Sequence, residues 1–216
     1  MIMNIDYSQF LNMIPEVTLM AILVIVFLVD LFTSIKPGTD KQRRWFNPLV
    51  SVLLLAHIFI NIFPTEAATT FGGMYITSPI IGVIKTILAF GTLIVVVQAR
   101  EWLERKDTAF KEGEFYLLVI STLIGMNFMV SSNNFLLFFL GLELASVPMS
   151  ALVAFDKYRH NSAEAGAKFI LTAVFSSGIM LYGISFLYGS TGTLYFEDMV
   201  GKITASPMNI IGMVFF

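Results

Sequence analysis

Residues 136–155 read LLFFLGLELASVPMSALVAF. Crossing the hydrocarbon core of a bilayer takes about 20 mostly apolar residues, so this stretch is long enough to span. It carries one charge, Glu143, near its middle, and Pro148 follows five positions later. A charge at the centre of a membrane helix costs roughly 2.5–3.5 kcal/mol on insertion scales. The glutamate side chain is too short to reach either interface from there. Such a residue faces protein or water and is a functional candidate by default. The bland alternative is a protonated carboxyl hydrogen-bonded between helices.

The composition around it is that of a membrane protein. Of 216 residues, 56% are hydrophobic and 13% charged, with 21 Phe and 12 Met; soluble domains carry about 25% charged residues. The formal net charge of -2 comes without a basic stripe interleaved with aromatics, which argues against nucleic acid. Cysteine is absent, which removes disulfides, thiolate nucleophiles, zinc ribbons and cysteine-ligated iron–sulfur clusters. The two histidines, His57 in an apolar run and His160 in a charged loop, do not suit a bis-histidine haem. No cofactor or metal site is assigned to the chain. A basic region, short apolar core and cleavage site are not found at the N-terminus, so the first apolar run reads as a retained span.

Six complete spans are expected, at roughly 15–34, 46–63, 79–98, 115–131, 134–155 and 163–188, with a seventh beginning near residue 205. Pro48 and Pro79 suit first helical turns, where a missing N–H costs little. The fold class is therefore all-α, a polytopic transmembrane helix bundle. The run from Met208 to Phe216 is too short to cross, which reads as a fragment of a longer protein. Lysine and arginine set the orientation. Lys36, Lys41, Arg43 and Arg44 follow span one; Arg100, Arg105, Lys106 and Lys111 follow span three; Lys157 and Arg159 follow span five. The opposite loops hold only Lys202. The N-terminus is expected outside. One membrane domain is expected over residues 1–216: a three-helix part at 1–98, an inner loop at 99–114, and the start of a repeat at 115–216.

Four ionisable groups are assigned to spans: Asp30, Lys85, Glu143 and Lys168. Asp30 lies at the inner end of its span near Lys36 and reads as an interfacial carboxylate. Lys85 lies some seven residues into span three, where lysine can snorkel, so structural and functional readings both stand. Glu143, Ser146 and Ser150 share one face, and Pro148 frees the Leu144 carbonyl. Glu164, Lys168, Thr172 and Ser176 form a polar stripe along the next span, spaced four apart. Glu143 is expected some 6–9 Å deeper than Lys168. Two such faces on adjacent helices suggest a hydrated seam in which Glu143 exchanges protons under the influence of Lys168. Ordinary hydrogen bonding between helices is the alternative.

The run NFLLFFLGLELASVPMSALVAF, then NSAEAGAKFILTAVFSSGIMLYGISFLYGSTGTLYF, resembles the antiporter-like membrane subunits of respiratory complex I; GEFYLLVISTLIGMNFMVSSNNF fits the preceding helix. The likeness covers residues 70–200 well and the first three helices loosely. It implies a fourteen-helix fold of two inverted five-helix repeats, with Glu143 as the fifth-helix glutamate and Lys168 as the sixth-helix lysine that tunes it. It also implies proton translocation coupled to electron transfer from NADH to quinone on other subunits. NADH, FMN and iron–sulfur clusters would sit on those partners. The location implied is the bacterial inner membrane, multi-pass, with complex I membrane subunits and lipid as neighbours and quinone engaged indirectly. No role for Asp30 or Lys85 follows from the likeness. A secondary cation/proton antiporter subunit is the alternative function, and a purely structural membrane subunit a third.

Overall fold

The computed structural model describes residues 7–33, 43–63, 66–103, 109–156 and 159–216. Lys36, Lys41, Arg105, Lys106 and Lys157, which bear on orientation, lie outside the described residues.

A 3₁₀ turn at Tyr7–Met13 leads into α1 (Ile14–Thr33), followed by α2 (Phe46–Asn61). A short antiparallel hairpin comes next, β1 (Ala68–Thr70) and β2 (Tyr75–Thr77), paired Ala68 to Thr77. Then come α3 (Pro79–Leu103), α4 (Glu112–Val130), α5 (Phe135–Val153) and α6 (His160–Thr191). The short α7 (Phe196–Val200) and α8 (Pro207–Phe215) close the chain. Helices stand at all six expected positions. Five are long and apolar enough to cross a membrane, whereas α2 has 16 residues. The segment expected as an inner loop at 99–114 is shorter, because α3 runs on to Leu103 and α4 begins at Glu112.

Local chemistry sets the boundaries. The Asn134 side chain caps α5 by accepting from Leu136 N at 2.8 Å. Ser206 caps α8 ahead of Pro207, accepting from Asn209 N at 3.3 Å. Gly192, at φ 71°, ends α6 in the left-handed conformation that glycine adopts without penalty.

Leu19, Val26, Phe46, Leu54, Val96, Tyr116 and Leu123 knit α1 to α4 into one core. A second cluster, Phe135, Met180, Ile184, Leu187 and Met199, joins α5, α6 and α7. Large apolar side chains such as Phe32, Ile80 and Leu171 cover the outside, as they do where lipid is the solvent. The helices alternate in direction. One end carries the hairpin, the 131–134 turn and the 193–196 segment, joined by bridges from Tyr75 to Ser132 and from Asn134 to Tyr195. The other end carries Asp30, Arg43 and Glu112.

α4 and α5 approach backbone to backbone. A Cβ on Gly125 would lie 2.4 Å from Ala145 N, and one on Gly141 would lie 2.7 Å from Met129 N. Small residues at a membrane interface allow such contact, which supplies the packing that hydrophobicity cannot supply between helices in lipid.

Candidate functional site

Glu143 sits mid-way along α5, half-buried. Among the described residues its carboxylate makes no hydrogen bond and no ion pair. Ser146 and Ser150 share its face, but their hydroxyls turn back on their own helix. Ser146 Oγ donates to the Glu143 carbonyl at 3.4 Å and Ser150 Oγ to the Val147 carbonyl at 2.6 Å. Pro148 lies inside a helix that runs on to Val153.

The next stripe is where the spacing puts it, on one face of α6. Lys168 Nζ pairs with Glu164 at 2.5 Å, with side chains 74% and 51% exposed. The Thr172 hydroxyl donates to the Lys168 carbonyl at 2.9 Å, and Ser176 is exposed. The stripe therefore lies on an open surface of this part of the molecule.

α5 and α6 are antiparallel neighbours, but the offset of the two charges is larger than the spacing suggests. Gly166 packs on Ala154, where an added Cβ would meet the Ala154 Cβ at 2.4 Å. From that contact Glu143 lies eleven residues along α5 and Lys168 two along α6. The separation is about 13 Å or more, whatever the crossing angle. The expected 6–9 Å is corrected, because α6 begins at His160 and overlaps the end of α5 with its first turns. Helical side chains also lean toward their own N-termini. Glu143 therefore leans toward the hairpin end and Lys168 away from it. A proton passing between them needs intermediate carriers.

Residues 132–216 match the family described as NADH:quinone oxidoreductase/Mrp antiporter, transmembrane. An NADH-quinone oxidoreductase subunit N from Phocaeicola vulgatus is 54% identical over 98% of this chain and 43% of its own length. The subunit N of Azobacteroides pseudotrichonymphae is 42% identical, again over 98% of this chain and 43% of its own. Over nearly its whole length the chain is similar to the antiporter-like membrane subunits of NADH-quinone oxidoreductase. It spans about two fifths of the length of these curated relatives. A chain of respiratory complex I from Thermus thermophilus shares the fold, with TM-score 0.69 at 23% identity over 93% of this chain and 42% of its own. So does a chain of an archaeal membrane-bound sulfane sulfur reductase, TM-score 0.66 at 17% identity over 95% and 42%.

The region that matches the family model holds Glu143, Lys168 and both polar faces. It does not hold the most buried charges, which lie in the first three helices. Lys85 Nζ donates to Glu16 Oε1 at 2.6 Å, and the two side chains are 1% and 0% exposed. Tyr75 Oη donates to Glu16 Oε2 at 2.7 Å and accepts from Lys85 Nζ at 2.9 Å. The snorkelling open to Lys85 is thereby corrected: its ammonium turns inward to a carboxylate. Sequence reasoning missed Glu16 because a glutamate at the third position of a helix reads as a first-turn acid. A usable signal was present. Glu16 and Lys85 both fall near the N-terminal ends of spans that run in the same direction, at comparable depth.

His57 lies beside this group. Thr18 Oγ1 stands 2.8 Å from its Nδ1 and Asn61 Nδ2 2.8 Å from its Nε2. The threonine hydroxyl is also 2.8 Å from the Ile14 carbonyl, to which it donates. With the Asn61 amide donating to Nε2, the ring carries its proton on Nδ1 and gives it to Thr18. At the other end of the bundle, Asp30 pairs with Arg43 at 2.7 Å; Lys36, its expected neighbour, lies outside the described residues.

Proposed function

We propose that this chain forms part of a proton-translocating membrane subunit of NADH-quinone oxidoreductase, with Glu143 as a proton carrier and Lys168 as a charge that tunes it. The observation that supports this best is a carboxylate, unpaired among the described residues, that lies eight residues inside a membrane helix within the region that matches the antiporter family. A carboxylate already satisfied by a donor would have little reason to exchange its proton. The exposed Lys168–Glu164 pair supports the same reading. Charged groups at membrane depth face protein or water rather than lipid, so this face of α6 is one that further helices of a full-length subunit would cover.

In this reading α2 also crosses, which makes six spans with α8 the start of a seventh, and the N-terminus faces outward. Trp45 at its inner end suits an interface. The location would be the bacterial inner membrane. NADH, FMN and iron–sulfur clusters would be carried by partner subunits, and this chain would meet quinone chemistry only through them. Ser146, Ser150, Thr172 and Ser176 would line the seam, and Pro148 would expose polar backbone within it.

The test is Glu143→Gln in the full-length subunit within the assembled complex. Loss of the ionisable group is expected to slow proton transfer through this subunit roughly 10²-fold, the order a positioned acid–base group contributes. Assembly should be unchanged, since no other described side chain bonds to the carboxylate. The measurement is proton uptake per NADH oxidised in sealed vesicles. Wild-type uptake in this variant would remove Glu143 from the relay. Neutralising Lys168 to methionine is expected to shift the pH at which uptake is half-maximal rather than abolish it, because about 13 Å separates the charges. A pH profile identical to wild type would assign Lys168 a structural role.

A further inference from the structure

Among the described residues, the most buried charges are the ones the relay does not use. We infer that Glu16, Lys85 and Tyr75 form a charge lock whose role is to position the outer ends of α5 and α6. The inference deepens the proton-relay reading and rests on it for its functional consequence.

The three groups close a triangle of hydrogen bonds at 2.6, 2.7 and 2.9 Å. Each carboxylate oxygen of Glu16 has its own donor, one of them charged; such bonds are shorter and stronger than neutral ones. Burial first, and then the Glu16 charge, push the Tyr75 hydroxyl well above its ordinary range, so it stays a donor at any working pH. Lys85 also lies 5.1 Å from the centroid of the Tyr75 ring. The neighbouring His57 ties the first turns of α1 to the end of α2 through Thr18 and Asn61. α1, α2, α3 and the hairpin therefore meet at one sealed point.

Tyr75 gives the lock its reach. It stands on β2, and β2 is bonded sideways to the turn between α4 and α5. Ile76 N donates to the Ser131 carbonyl at 2.8 Å, and Asn133 N to the Met74 carbonyl at 2.8 Å. That turn is bonded in its turn to the segment after α6. Phe135 N donates to the Leu194 carbonyl at 3.0 Å, and Phe196 N to the Asn133 carbonyl at 3.1 Å. Asn134, between these bonds, is the cap of α5. A continuous plate of backbone hydrogen bonds thus runs from the Glu16–Lys85 pair to the start of the helix that carries Glu143 and the end of the one that carries Lys168. Glu16, Lys85 and Tyr75 are positioning residues in this arrangement and touch neither Glu143 nor Lys168.

Charge balance makes the lock testable. A buried ion pair returns little more than its desolvation cost, but removing one partner strands an uncompensated charge and is far more damaging. Four variants of the full-length subunit in its complex decide the matter: Glu16→Gln, Lys85→Met, the double variant, and Tyr75→Phe. Each charge-removing single variant is expected to lower the folded-to-unfolded ratio roughly 10²-fold or more, and the double variant to recover most of that loss. Packing alone would not be rescued by a second neutralisation. Tyr75→Phe keeps the ion pair and frees the plate from it, so the complex should assemble while proton uptake per NADH falls several-fold with its pH profile unmoved.

A double variant as depleted as the worse single one overturns the lock. So does Tyr75→Phe with wild-type uptake. A double variant that assembles fully but shows a displaced pH profile also overturns it, and would make the pair a proton-holding site instead. Normal pumping by Glu143→Gln would sink the relay while leaving the Glu16–Lys85 compensation untouched, so the two failures are distinguishable.

Discussion

Gly125→Val is expected to prevent the subunit from assembling, or to lower its stability by about 3 kcal/mol or more. The reason is the identity of the atoms in the way. A Cβ at this position would meet Ala145 N at 2.4 Å, Gly141 O at 2.7 Å and the Leu144 carbonyl carbon at 2.7 Å. All three belong to the backbone of α5, so no rotamer change can make room. The helices would have to separate, and Glu143, between Gly141 and Leu144, would move with them. In lipid, apolar area gives helices little reason to associate, and close packing has to supply it. The control is Gly91→Val on α3, where an added Cβ meets nothing within 4 Å. That variant should stay within about 0.5 kcal/mol of wild type, as substitutions clear of buried features do. The comparison is the amount of assembled complex and its thermal midpoint. Equal behaviour of the two valine variants would refute the packing argument.

The helices were legible because the bilayer forbids almost everything else. Each apolar run must satisfy its own backbone, and a helix is the way one run does so. The run at 134–155 is α5 to within two residues at each end. Glu143 and Lys168 were legible as charges in the wrong solvent. What escaped was set by contacts between segments far apart in sequence. Glu16 looked like an ordinary first-turn acid until Lys85, 69 residues later, was seen to bond it. The hairpin at Ala68–Thr77 is three residues a side, too short for a strand pattern, and exists because its edge pairs with the turn at 131–134. The depth of Lys168 relative to Glu143 depends on Gly166 meeting Ala154, and no count from the connecting loop fixes that register. Asp30 was expected beside Lys36, which lies outside the described residues; among the described residues its carboxylate pairs with Arg43, thirteen positions along the chain.

Arg43→Gln should cost the subunit about 3 kcal/mol, near the lower end of what a broken buried pair costs. Arg43 Nη1 lies 2.7 Å from Asp30 Oδ1 and its Nε 3.9 Å from Glu112 Oε2, with side-chain exposures of 5%, 22% and 8% for the three residues. The partial exposure of Asp30 is why the lower figure applies. Its guanidinium also stacks 4.7 Å from the centroid of Phe46. Removing the cation leaves two carboxylates at the same end of the bundle with less to hold them together. Arg43→Lys should recover only part of the loss, because a point charge cannot serve two carboxylates and a ring face as a planar fork does. Gly113→Ala should act on the same network from the other side. Its Cβ would fall 2.0 Å from Asp30 Cγ, driving the carboxylate off the first turn of α4, where a negative charge is favoured. The three variants, compared by thermal midpoint in the assembled complex, should therefore rank Arg43→Gln below Arg43→Lys, with Gly113→Ala also destabilised. If Arg43→Gln melts with wild type, the ends of α1, α2 and α4 around Arg43 are held by their apolar contacts alone, and the triangle around Glu16 at the hairpin end is left as the charge cluster that fixes α1 in place.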